Sequence, residues 1–214
     1  MVMTPYERTR GKPYAETFRC PGGELCLDFC NTGQEARDPP AEEWLTSYAD
    51  VVNWLDAAGA ISRKQGTALR GAAEREPEAA RKVWGRAIRL RESLAAVLLA
   101  KAAGRAPADE DLRVIEAEYA RTAPCARLAP TEEGFRWTVE ADSELDSALR
   151  PVLESAISLM TSERMRRVRR CGNSTCYWLF VDETKNRSRR WCEMASCGNL
   201  MKVRRHRERH RAAD

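Results

Sequence analysis

Two cysteine pairs near the end of this 214-residue chain share one internal spacing. Cys171 and Cys176 enclose Gly-Asn-Ser-Thr, Cys192 and Cys197 enclose Glu-Met-Ala-Ser, and fifteen residues separate the pairs. Two short cysteine loops one hairpin apart bring four thiolates into a tetrahedron, the donor set Zn2+ takes when its role is structural. We therefore expect one structural zinc on Cys171, Cys176, Cys192 and Cys197. Such a site has no coordination position open for a substrate. In small zinc peptides it supplies about 10–16 kcal/mol of folding free energy, so in this short, charged segment the metal replaces an apolar core.

Other uses of these residues fit less well. Disulfides imply an oxidising compartment, yet Met1–Pro13 is polar and mixed in charge, unlike a secretory leader. The expected setting is the cytoplasm. Redox dithiols are spaced by two residues, not four. His206 and His210 could join Cys192 and Cys197 in a two-cysteine, two-histidine finger, but eight residues lie between Cys197 and His206 against about twelve in that class. Cys171 and Cys176 would then be stranded. These are the only histidines in the chain, which argues against a histidine-based triad or a catalytic His-ligated zinc. There is no Gly-rich phosphate loop, and the neighbouring carboxylates Glu42–Glu43 and Glu132–Glu133 are expected to face solvent. No enzyme is expected.

Charge is divided unevenly along the chain. Residues 164–211 carry fifteen Lys/Arg against four Asp/Glu, or +11, whereas residues 1–163 carry twenty-one against twenty-seven, or −6. Surface charge alone keeps proteins soluble. Clustering on one metal-held module points instead to phosphate neutralisation, for which the planar fork of Arg is well suited. The candidate contacts are Arg187, Arg189 and Arg190 between the cysteine pairs, and Lys202, Arg204 and Arg205 after them. The expected partner is nucleic acid, duplex DNA first; the alternative is an adaptor whose basic finger binds an acidic protein or RNA. Trp178 or Trp191 is expected to cover the zinc site. No run of eighteen apolar residues exists, so no membrane span is expected.

The residues between the pairs closely resemble the CGNR zinc finger: Cys171-Gly172-Asn173, Phe180-Val181-Asp182, Asn186, Arg189-Arg190-Trp191-Cys192, Met194 and Cys197-Gly198-Asn199. Leu200 stands where that family has the Arg of its name, with Lys202 following. Upstream, Gly23-Glu-Leu-Cys-Leu-Asp28-Phe-Cys-Asn31-Thr32 resembles the Leu-Asp-Phe-x-Asn-Thr signature of the ABATE domain found ahead of such fingers. Together the resemblances imply a stress-induced transcriptional regulator, and the expected division of labour is a finger that grips phosphate and an N-terminal domain that senses a small molecule or protein. Read from the residues alone, Asp28, Asn31 and Thr32 brace turns and caps, and Arg37 is a candidate partner for Asp28. Cys20, Cys26 and Cys30 read as small core side chains.

The expected fold class is mainly α with a small β-hairpin: residues 1–19 as a lead-in, 20–163 as a helical domain, and 164–214 as a treble-clef-like four-cysteine finger. Trp44, Leu45, Tyr48, Val51, Val52 and Leu55 recur at helical spacing up to Gly59, and Ser62 caps the next helix. Ala79, Val83, Ala87, Arg91, Leu94 and Leu98 mark one face of a long helix to about Lys101. Leu112, Ile115 and Tyr119 mark a shorter one. Arg127–Leu128 and Phe135–Val139 flank Glu132-Glu133-Gly134 as a hairpin. A helix capped at Asp142 or Ser143 then kinks at Pro151 or restarts with it in the first turn. Within the finger, Tyr177–Val181 and Ser188–Trp191 are expected to pair as strands, followed by a helix from about Ala195 into the Arg-His-rich end.

Overall fold

Long helices need one uninterrupted apolar stripe, and residues 77–102 have the longest in the chain. In the computed structural model, which describes residues 21–33, 43–139 and 144–211, this stretch forms α4 (Pro77–Ala102). Pro77 sits in its first turn, where no amide donor is needed. Ala80, Val83, Ala87, Leu90, Leu94, Val97 and Leu98 are buried along one side, and α4 packs against most of the body. The other body helices are α1 (Leu25–Cys30), α2 (Tyr48–Ala57), α3 (Arg63–Arg75), α5 (Asp109–Thr122) and α6 (Arg150–Met160). Residues 1–20, 34–42, 140–143 and 212–214 lie outside the described residues, and with them the lead-in, Cys20, Arg37 and the Asp142 or Ser143 cap.

Local chemistry explains the boundaries. Ser47 accepts from the Asp50 amide at 3.2 Å, so α2 starts at Tyr48. Trp44 and Leu45, expected inside this helix, precede it, and the Leu45 carbonyl takes the Trp84 indole N–H at 2.6 Å. Ser62 and Gln65 form a reciprocal capping box on α3. Leu145–Leu149 makes a 3-10 turn, and α6 restarts after it with Pro151 in its first turn. The hairpin β1 (Ala126–Thr131) and β2 (Gly134–Val139) forms as expected, in register Leu128 to Trp137 and Pro130 to Phe135.

The second sheet differs from expectation. Strand β4 (Leu179–Val181) pairs antiparallel with β3 (Val168–Arg170), and Ser188–Trp191 forms no strand. Val168 decides this: it is 1% exposed and belongs to the body's core together with Leu179 and Val181. A buried apolar residue inside a basic run draws that run into the sheet. One face of this sheet, Val168, Leu179 and Val181, is part of the body's core, while Trp178 and Phe180 turn to a second buried cluster around the four cysteines. A π-type turn (Met194–Gly198) then leads into α7 (Asn199–Arg211).

Glu43 also departs from the solvent-facing expectation. Arg91, 0% exposed in the middle of α4, is held by both Glu43 carboxylate oxygens at 2.6 Å and by Glu92 at 2.8 Å. A buried guanidinium needs this counter-charge.

Candidate metal centre

The sulfur cage is built by two knuckles and one sheet edge. Cys171 follows β3, and its amide donates to the Trp178 carbonyl at 2.8 Å, closing the first loop. Cys192 follows the irregular segment Ser188–Trp191, and Cys197 lies in the π-type turn. The four sulfurs lie within 4.8 Å of one another and all four residues are buried. A ZnS4 tetrahedron with Zn–S near 2.3 Å has an edge of about 3.8 Å. The Cys176 and Cys192 sulfurs are 3.8 Å apart, far beyond a disulfide length of about 2.05 Å. All seven cysteines among the described residues are free.

The electrostatics of the donor set also fit a divalent cation. Cys171 accepts from the thiol of Cys176, then from that of Cys192, and is held well below the usual thiol range. Cys176 and Cys192 are pushed far above it, chiefly by donating to Cys171. Four close sulfurs cannot all ionise without positive charge between them, and Zn2+ supplies that charge while crosslinking the two knuckles. Amide donors are aimed at the sulfurs: Cys192 N–H at Cys171 Sγ, 3.4 Å, and Asn173 Nδ2 at Cys197 Sγ, 3.5 Å. Such donors stabilise thiolates and orient them.

Both knuckle glycines are explained by Trp191. A Cβ at Gly172 would meet the Trp191 ring at 3.1 Å and the Arg190 carbonyl at 3.1 Å. One at Gly198 would meet the Trp191 ring at 3.1 Å and the Met194 sulfur at 2.5 Å. The indole thus wedges between the two cysteine loops. Trp178, 6% exposed, packs in the same cluster and meets Trp44 edge-on at 6.4 Å. Both tryptophans serve the site, where the sequence reading allotted one.

The candidate cations separate into two groups. Arg189 is turned inward: its guanidinium donates to the carbonyls of Trp191 (3.1 Å), Pro21 (2.8 Å), Val181 (3.4 Å) and Cys192, and lies 4.2 Å over the Phe180 ring. It is an internal staple for a segment that forms no strand. Asp182 does the same from below, accepting from Thr184 N–H and Oγ1 and from Arg189 N–H at 3.0, 2.5 and 3.0 Å. Arg187, Arg190, Lys202 and Arg205 are exposed; Arg204 is half-buried, with Nη1 3.5 Å from Asn173 Oδ1.

The N-terminal signature is placed against this module. Asn31 Nδ2 donates to the Leu179 carbonyl at 3.0 Å while its Oδ1 accepts from the Leu179 amide at 2.8 Å, as a neighbouring strand would. The Val181 amide donates to the Gly22 carbonyl at 2.8 Å. Asp28 accepts from Gly22 N–H at 2.8 Å, and Thr32 Oγ1 donates to the Phe29 carbonyl at 2.6 Å. Asp28, Asn31 and Thr32 are all buried. Sequence reasoning found no signal for Asn31 facing β4, or for Arg91 with Glu43, because both contacts join residues far apart in the chain.

Residues 23–163 match the family model of the ABATE domain, described as "Putative stress-induced transcription regulator", and residues 167–210 match that of the CGNR zinc finger. None of the curated proteins matches the chain. The helical body and the four-cysteine cluster fall in those two matched regions, in that order. A match over well over half of its length, with a zinc-competent thiol cage in the segment that follows, makes this chain a member of the ABATE family whose CGNR finger binds structural zinc.

Proposed function

We infer that this chain is a zinc-dependent, DNA-binding regulator of transcription, acting in the cytoplasm through phosphate contacts from its finger. The observation that supports this is how the cations are used. In the body, three inward-turned arginines are ion-paired, Arg86 with Glu118 and Asp146, Arg91 with Glu43 and Glu92, and Arg150 with Glu154, while the half-buried Arg70 donates to the Asn53 side-chain carbonyl oxygen at 3.2 Å. In the finger, Arg187, Arg190, Lys202 and Arg205 have no ion-pair partner among the described residues. α7 adds Arg207 and Arg209, both exposed, and no apolar residue follows Val203 within it. A helix with no face to bury and a surplus of unpaired cations is suited to a polyanion. The module binds rather than catalyses, since four thiolates leave the metal no open position.

The body contributes regulation through the finger it holds. An effector acting near α1 would reach β4 through Asn31 and Gly22. Electrophoretic shifts on genomic fragments, with and without chelator, test this reading. We expect duplex DNA to be retarded by the zinc-loaded chain and released on metal removal. Absence of a shift, with capture of an acidic polypeptide or of RNA instead, contradicts it.

A further inference from the structure

The four-cysteine cage leaves the two histidines of the chain without a role. Both lie on α7, at His206 and His210, one helical turn apart. Side chains at i and i+4 stand on the same side of a helix, with Cβ atoms about 5–6 Å apart. Here the ring centroids are 4.3 Å apart, and the rings meet edge-to-face at 71°. Both residues are exposed, and neither imidazole has a hydrogen-bond or ion-pair partner among the described residues. Packing does not account for them, because α7 carries no apolar residue after Val203.

Their chemistry is distinct from that of the cations around them. Phosphate is served by Arg, which α7 supplies at Arg204, Arg205, Arg207 and Arg209. Imidazole is the commonest metal ligand and suits Zn2+, Cu2+ and Ni2+. Two imidazoles at i and i+4 hold one ion from a single helix face. Ligating nitrogens about 2.0–2.1 Å from a shared ion lie about 3 Å from each other, a spacing that exposed rings with centroids 4.3 Å apart reach by turning about their side-chain torsions. Glu208 lies two residues from each histidine, on another side of the helix. Lys202, one turn before His206, and the neighbouring arginines repel a divalent ion. Two donors in that field make a weak, exchangeable site whose other positions go to water, unlike the closed cage.

We propose that His206 and His210 form a second metal site, open to solvent, for a first-row transition ion that favours imidazole: Ni2+, Cu2+, or Zn2+ in excess of the cage. An ion bridging i and i+4 closes one turn of a helix that has no packed face to hold it there, so binding orders the basic end of α7. The site does not rest on nucleic-acid binding and is measured without nucleic acid.

Equilibrium dialysis of the zinc-loaded full chain against nickel chloride, followed by elemental analysis for both metals, tests it. The expected result is one saturable nickel per chain taken up with the zinc retained, and a rise in helical circular dichroism. His206→Ala and His210→Ala should each weaken nickel binding more than about tenfold, the loss that even an outer-shell change causes at a metal site. Neither should alter zinc content or the helical signal before nickel is added, because both side chains are exposed. Adding Glu208→His to the His210→Ala chain restores two histidines at a spacing that turns them apart, and should leave binding weak. No saturable uptake, uptake that the alanine variants leave unchanged, recovery in the Glu208→His chain, or nickel gained only as zinc is lost overturns the proposal. Uptake without the helical rise overturns the ordering of α7.

Discussion

The carboxamide of Asn31 faces the Leu179 peptide with a donor and an acceptor at once, so one side chain takes the place of a third strand beside β4. Removing it leaves a buried N–H and C=O without partners, each costing about 1–3 kcal/mol. Asn31→Ala should lower stability to urea by about 2–4 kcal/mol. Asn31→Asp should not rescue it, since a carboxylate offers no donor to the Leu179 carbonyl. Arg189 gives a second test at this scale. Its forked donors reach four separate carbonyls, a pattern the single ammonium of Lys cannot reproduce. Arg189→Lys should lower the melting temperature, and Arg189→Gln, which removes the charge, should leave the salt dependence of DNA binding nearly unchanged; a slope flattened by about one unit would return Arg189 to the phosphate contacts.

Elements whose signal is local were legible in the sequence. The stripe of α4, the Ser62 cap of α3, the Pro151 restart of α6 and the Glu132-Glu133-Gly134 hairpin are written in spacing and turn chemistry. So was the zinc cage, because each cysteine pair closes its own short loop. The sheet of the finger was not. Ser188–Trp191 looks like a strand, yet Asp182 and Arg189 bind its neighbourhood through side chains, while Val168 carries β3 into the sheet from a run that reads as solvated charge. Pairing across that distance depends on which residue the body buries, and no local pattern records it. The first knuckle has its own prediction. Asn173, 0% exposed, donates toward Cys197 Sγ and accepts from Thr175 N–H and Oγ1. Asn173→Ala should weaken zinc affinity about tenfold, read by competition with a chromophoric chelator; unchanged affinity would reduce Asn173 to a turn residue.

At the scale of the whole molecule, body and finger share an apolar core through Val168, Leu179 and Val181. No helix among the described residues is long and apolar enough to cross a membrane. Metal loss should therefore reach the body: stripping zinc, or Cys176→Ser, should lower the melting temperature of the helical signal as well as unfold the finger. A helical transition indifferent to zinc would show two independent units. The central claim is that this body presents a zinc-held, unpaired set of cations to the DNA backbone. Its most direct test is the slope of log Kd against log salt for the loaded chain on random duplex DNA. Five candidate cations, Arg187, Arg190, Lys202, Arg204 and Arg205, at about 0.9 per neutralised phosphate, give a log–log slope of affinity near −4.5. Each charge removed should flatten it by about one unit, and chelation should abolish binding. A slope near zero, or one that metal removal does not alter, would contradict the account.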